Sequence, residues 1–530
     1  MRDTALIDDL VKKTPDDPFY TPPDPLPGDK PGDPVYLRRL ENAFSVPDGG
    51  EKWLVLYRSE TAGTEPTPAA TSGIIVLPDR SKHPVPNDGY PLISWCHGTV
   101  GVANRVAPSR DGGNTGASPM NAYPKKLLSR FLDEGWAVAM TDYEALGTGT
   151  DDKLHPYMLG QSEARAALDI VLAARHLFGD EISDQFALVG HSQGGQAALF
   201  AAANAPGRVE ELVAVAAIAP ANHPLDVVQA GVLNVFAPDE GYAFTPLFLA
   251  GAIGGSIADA ATDETIKIID PEQVLSVEAY KLWPQVWTKS RAELSERTSF
   301  GGLKGNEQFL TGPRINPNDD QAEFNRQLEK MNPDLDISVP VRITQAIADQ
   351  RVKYELPPIL GRPTRGTKVL IEELQAHDTN NITTEIYGTD KVSDEEKPPR
   401  SPLHDDQRRH RRAHRLAHRA LRRLLTLGSA TARGSAQVHA QPPCRRRAGP
   451  HRWGIAATKA WHRMPCELRV RVTTCQTGRA AARRCAPDSS PCSAVASAPR
   501  SARPARRSAA PAPRSPSAAR RPTRAAPPPR

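Results

Sequence analysis

The segment Phe186-Ala187-Leu188-Val189-Gly190-His191-Ser192-Gln193-Gly194-Gly195 decides the fold. Four apolar residues read as a buried strand, and Gln196-Ala197-Ala198-Leu199-Phe200 continues the segment as a small-residue helix. Between them stands one serine flanked by glycines. A strand, a Gly-flanked Ser and a helix make a sharp turn that lifts the hydroxyl clear of the sheet edge. A side chain at position 190 or 194 would collide with the neighbouring strand or helix. The helix starting at Gln193 points its free N–H groups and positive dipole end at the same spot. Ser192 is therefore the candidate nucleophile.

The surrounding pattern alternates strand and helix. Strands are expected at Trp53–Tyr57 and Ser72–Leu77, then at Pro91–Cys96, Trp136–Met140 and Leu212–Ile218. Helices are expected over Pro124–Glu134 and Gly160–Phe178. Residues 222–337 interrupt the alternation with helical patterns and the apolar run Leu247–Gly255. The sheet resumes at Val339–Gln345, with a helix over Thr367–Ala376 and a last strand at Asn381–Tyr387. This is an α/β chain with a mostly parallel, doubly wound sheet, the α/β-hydrolase fold. The division is an extended Pro/Asp-rich arm over 1–45, core over 46–221 and 338–397, a helical cap over 222–337, and a tail over 398–530.

A serine hydroxyl needs a histidine to take its proton and an acid to hold that histidine. In this fold the chain order is Ser, acid, His. Asp349 follows the strand that ends at Gln345 and is the candidate acid. Two N–H groups must face the developing oxyanion. Gln193, directly after the nucleophile, supplies one. Thr99, in the loop His97-Gly98-Thr99 after the Pro91–Cys96 strand, supplies the other. His97 reads as a loop-shaping residue rather than a base. The histidine belongs a few residues beyond the last strand, where Lys391 stands instead. His404 is the next in chain order, and His377 precedes the strand.

Charge splits the chain. Of 66 Lys+Arg and 61 Asp+Glu, residues 400–530 hold about 30 and about 4. The part before them is acidic, near −21, and the tail is near +26. Arg, Ala, Pro and Ser dominate the tail, with one helical pattern over His410–Leu427. Such a composition buries too little apolar area to offset chain entropy and predicts disorder. It is also what GC-rich coding DNA yields when read out of frame. A basic segment binding nucleic acid or an anionic membrane is the competing reading, and a nonfunctional extension is a third. Nucleic acid is not the expected partner. Cys96 is the single cysteine of the acidic part, and the five tail cysteines match no metal spacing. No run of about 18 apolar residues occurs, so no transmembrane segment is expected. The start, Met1–Asp9, lacks the apolar core of a signal peptide, which as written reads as cytoplasmic.

The chain resembles the secretory lipase family of α/β-hydrolases of actinobacteria and fungi. The resemblance rests on Asp17-Pro18-Phe19-Tyr20, Trp95–Thr99, Thr141–Gly147, His155-Pro156-Tyr157, Ser162–Arg165, Gly190–Gly195 and the Asp349 segment, over about residues 15–390. It implies hydrolysis of lipid or short acyl esters without cofactor or metal, a helical cap, and export. The departures from the family are the start, the position of Lys391 and the tail. The sequence reading is a serine carboxylic ester hydrolase of lipase type. An amidase or peptidase on the same fold, or a pseudo-hydrolase whose histidine was lost by a frame slip, are the alternatives.

Overall fold

The computed structural model describes residues 2–388, apart from 16–17, 49, 150–152, 233–243, 311–316, 360–361 and 378–380. All described residues fall in one unit of the chain, Met1–Met464. His404, the tail over 398–530 and the helical pattern at His410–Leu427 lie outside the described residues.

Among the described residues nine strands form one sheet. In chain order they are β1 (Pro34–Leu40), β2 (Glu51–Glu60), β3 (Pro68–Leu77), β4 (Tyr90–Cys96), β5 (Ala137–Thr141), β6 (Ile182–His191), β7 (Leu212–Ile218), β8 (Pro340–Ala346) and, after a short hairpin of β9 (Leu356–Ile359) and β10 (Arg362–Thr364), β11 (Asn381–Tyr387). The order across the sheet is β1-β2-β3-β5-β4-β6-β7-β8-β11. β1, β2, β3 and β5 pair antiparallel. From β5 onward every pairing is parallel. The direction of chain progression reverses at β4, so β4 and β6 end beside each other. That reversal opens a crevice at the carboxyl ends of the strands, where such sheets bind ligands. The topology is that of an α/β-hydrolase.

Strand alternation builds the two faces. Leu54, Leu56, Ile74 and Val76 join one buried cluster with Trp95, Met140 and the helix Lys125–Asp133. Val55, Tyr57, Ile75 and Leu77 join the other, against helices Gly160–Phe178 and Gln193–Asn204. Each such buried aliphatic side chain contributes about 1.5–3 kcal/mol over exposure. Helices Pro224–Val232, Phe244–Ala260 and Asp319–Lys330, with shorter ones between them, occupy the stretch between β7 and β8. They pack a cluster of their own, including Leu247, Leu249, Phe300 and Leu328, onto Tyr157 and Met158 of the core.

Two segments differ from the sequence expectation. The arm over 1–45 contains a helix, Thr4–Lys13, and the edge strand β1. Asp3 caps that helix through a hydrogen bond accepted from the Leu6 N–H at 2.9 Å, and Ile7 and Leu10 are buried. Most of the prolines and aspartates that suggested an arm lie in the stretch between them. The β9–β10 hairpin was not anticipated, because Pro357, Pro358 and Pro363 argue against strands.

Candidate active site

The turn after β6 is strained where the sequence requires it. Ser192 has φ 57° and ψ −119°, outside the ordinary regions for an L-residue. Its carbonyl accepts from Gly195, Gln196 and Ala221 N–H, and its N–H donates to Ile218 O at 2.9 Å. The glycines are steric necessities. A Cβ at Gly190 would strike the Gly194 carbonyl, and one at Gly194 would strike that of Cys96. A Cβ at Gly195 would stand 2.8 Å from Pro220 Cα. Tyr143, Ala145, Met158, Ala219 and His223 also have positive φ. These residues follow β5 and β7 or enter the Gly160–Phe178 helix, and Met158 among them lines a cavity with Ser192; Glu211, before β7, is a further positive-φ residue.

Among the described residues, two cavities meet at the half-buried Ser192. One, of about 50 Å³, has a mainly apolar wall that includes Met158, Ala221, Val227, Phe248 and Leu356. The other, of about 100 Å³, brings Ser192 together with Thr99, His191, Arg291, Asp349 and Arg351. Thus Thr99, Ser192 and Asp349, far apart in sequence, line one space.

Gln193 is buried, and its side chain is held from behind. Its Nε2 donates to Glu163 Oε1 at 2.7 Å and to His155 Nε2 at 2.9 Å. His155 Nδ1 donates to the Glu144 carbonyl at 2.9 Å, which leaves Nε2 as the acceptor. Glu163 Oε1 also accepts from Met158 N–H at 2.9 Å. This network fixes the side chain of Gln193 at the first turn of the helix after Ser192; Gln193 itself is buried and does not line either cavity. Thr99 is buried, with its hydroxyl 2.8 Å from that of Tyr157.

Asp349 is half-buried in the loop after β8. Its Oδ1 accepts from Arg351 N–H at 2.9 Å and Val352 N–H at 3.0 Å, an Asx turn. The described histidines near the turn are in other employment. His97 is buried against Tyr143, with Nδ1 2.8 Å from the Gly98 carbonyl, and burial pulls its pKa down to about 4. His191 Nδ1 lies 2.8 Å from the Tyr123 hydroxyl, and burial pulls its pKa to about 4 as well. Both rings are neutral at pH 7. His377 bonds Asp334 at 2.8 Å and does not line either cavity. His404 lies outside the described residues.

Sequence reasoning did not single out Arg291, Arg351 or His191 as lining residues. His191 was legible, being next to the nucleophile. Arg291 comes from the helical stretch between β7 and β8, and no local pattern marks it. Among the described residues no group of three or more His, Cys, Asp or Glu could hold a metal ion, and no helix is long and apolar enough to cross a membrane.

Residues 120–224 match the family model of secretory lipases. That stretch contains Ser192, Gln193, His155 and Glu163, and the resemblance read from the sequence is borne out there. Over 190 residues the chain is 25% identical to a secreted triacylglycerol lipase of Malassezia restricta, covering 34% of this chain. The chain spans 38% of the length of that relative. Among solved structures, a ligand-bound form of the rice cell wall degrading esterase LipA from Xanthomonas oryzae is 21% identical over 68% of this chain and 92% of its own, with a TM-score of 0.47. Candida antarctica lipase A is 18% identical over 70% and 80%, with a TM-score of 0.49.

Proposed function

We propose that the chain is a serine carboxylic ester hydrolase of lipase type that acts on lipid or acyl esters. The observation that carries this reading is the positive-φ Ser192, set between a strand and a helix N-terminus and lining a cavity shared with Thr99 and Asp349. The family match over residues 120–224 supports it.

In this reading Ser192 Oγ attacks the ester carbonyl carbon. Its proton passes to a histidine, with His404 the candidate by chain order, and from there to the departing alkoxy oxygen. Asp349 orients that imidazole. The N–H groups of Thr99 and Gln193 receive the oxyanion, and the Glu163–His155–Gln193 network holds the second donor in place. Water repeats the cycle on the acyl-enzyme and releases the acid. The helices between β7 and β8 act as a cap, with Phe244 and Phe248 over the nucleophile. Like the secreted relative, the enzyme would work outside the cell.

An amidase would share this machinery. Matched p-nitrophenyl esters and p-nitroanilides separate the two. Ester turnover that exceeds anilide turnover supports the lipase reading, and anilide turnover with no ester turnover refutes it. The pseudo-hydrolase alternative turns on which histidine serves Ser192: His377 is bonded to Asp334 and lines neither cavity. Restored ester turnover on re-reading the coding sequence after codon 390 in another frame would favour it.

A further inference from the structure

The cations around Ser192 are unevenly distributed: Arg365 and Lys353 line the apolar cavity, Arg291 lines the other, and Arg351 lines both. In the apolar one, Arg365 is neutralised. Its Nε donates to Asp226 Oδ2 at 2.6 Å, and Glu329 stands 3.4 Å away. In the other, Arg291 and Arg351 face the same space. Among the described residues no carboxylate or carbonyl bonds the Arg291 guanidinium.

Arg291 is nevertheless firmly placed. Its N–H donates to Val100 O at 2.8 Å, bringing the residue beside the Thr99 loop. Ser290 caps the turn that follows, in a reciprocal box with Glu293. The guanidinium lies 5.9 Å from the Phe244 ring centroid. Burial first, then repulsion from Arg351, lowers its pKa to about 10, against an upward pull from Tyr157. Arg351 is exposed, and its backbone is tied to Asp349. Asp349 and His191 are the other titratable groups lining the cavity, and both already hold partners. A half-buried guanidinium that no carboxylate of the described residues neutralises gains from an anion arriving with a ligand.

We propose that Arg291 and Arg351 form an anion subsite, and that the preferred substrates are acyl esters whose alcohol portion carries a carboxylate or similar oxyanion. This rests on the ester-hydrolase reading of Ser192. The acyl chain enters the apolar cavity along Val227, Phe248 and Leu356. The scissile carbonyl meets Ser192, and the alcohol portion extends past Thr99 to the two guanidiniums. When the C–O bond to the alcohol breaks, the alkoxy oxygen takes the proton that left Ser192. The anion stays with the departing alcohol.

The test compares the butanoyl esters of 4-hydroxybenzoate and 4-hydroxybenzamide on the full chain. The anionic ester is expected to have a kcat/KM about tenfold above the neutral one. In Arg291→Met the ratio falls to near one, and Arg291→Lys keeps part of it. If Arg291→Met does not fold, as circular dichroism would show, Arg351→Met on the exposed loop provides the same readout. Calorimetric binding of 4-hydroxybenzoate to the full-length Ser192→Ala chain gives a second readout, free of catalysis. An equal or reversed ratio in the wild-type chain, or a ratio unchanged in both arginine variants, overturns the subsite. No turnover of either ester, with Arg291-dependent binding of 4-hydroxybenzoate, refutes the hydrolase reading and upholds the subsite. No turnover and no Arg291-dependent binding refutes both.

Discussion

The two ends of the proposed catalytic array are anchored in opposite ways. At the Ser192 end, backbone packs on backbone: three glycines allow β6, its helix and the β4 loop to touch, and a buried Glu163–His155–Gln193 network lies behind. At the Asp349 end, the half-buried carboxylate is held by N–H groups of its own loop. The lesson is that the strained element is over-determined by packed backbone, whereas the acid sits in a loop tied by hydrogen bonds to the end of β8, to β11 and to the helix Thr367–Ala376. Damage to the first end should therefore reach the fold, and damage to the second should stay with the chemistry.

The contrast breaks first at Gly194. Gly194→Ala forces a methyl into the Cys96 carbonyl and should cost about 3–5 kcal/mol, read as a lowered urea midpoint. An unchanged midpoint would mean the sharp turn at Ser192, the elbow, has slack, and the two ends would no longer differ. Asp349→Asn keeps an oxygen acceptor for the Arg351 and Val352 N–H groups. The urea midpoint should hardly move, while ester kcat falls by about 10³–10⁴. A large loss of stability there would place the acid loop in the same class as the elbow.

Glu163→Gln sharpens the comparison at the network behind the elbow. It removes the charge that accepts from Gln193 and Met158, and kcat should drop about tenfold, less than the 10²–10³ of a deleted oxyanion donor. An equal drop on p-nitrophenyl butyrate and acetate, with KM steady, would mark positioning rather than acyl binding. The smallest effect is on acid stability. His97 and His191 have folded pKa values near 4, below the usual 6.5. The folded chain thus binds fewer protons than the unfolded one, so the stability they contribute is present above pH 6.5 and lost as pH falls toward 4. Asp142 acts in the opposite sense. Burial, against hydrogen bonds from Ser109 and Ser72, raises its pKa to about 6, so its contribution is lost as pH rises through 6. The melting temperature should decline less between pH 7 and 5 in His191→Asn than in the wild-type chain.

The same contrast explains what the sequence made legible. β7 advertises itself as an apolar run, β11 as an alternating β-branched edge strand, and both were read with the bounds they have. The elbow was legible because glycines in close contact are local. The acid was reachable by counting strands. β1 was hidden by the prolines before it, although Val35 and Leu37 alternate with half-buried neighbours. Arg291 was not legible, because a helical stretch carries it to Ser192 from a hundred residues downstream and nothing local distinguishes it from a surface arginine.

The central claim is that one strained serine is the nucleophile, and covalent labelling tests it most directly. The folded full-length chain is incubated with a fluorophosphonate, and the modified peptide is mapped by mass spectrometry. The account predicts one adduct, on Ser192, absent from Ser192→Ala. An adduct on another residue, or labelling that persists in Ser192→Ala, would contradict it.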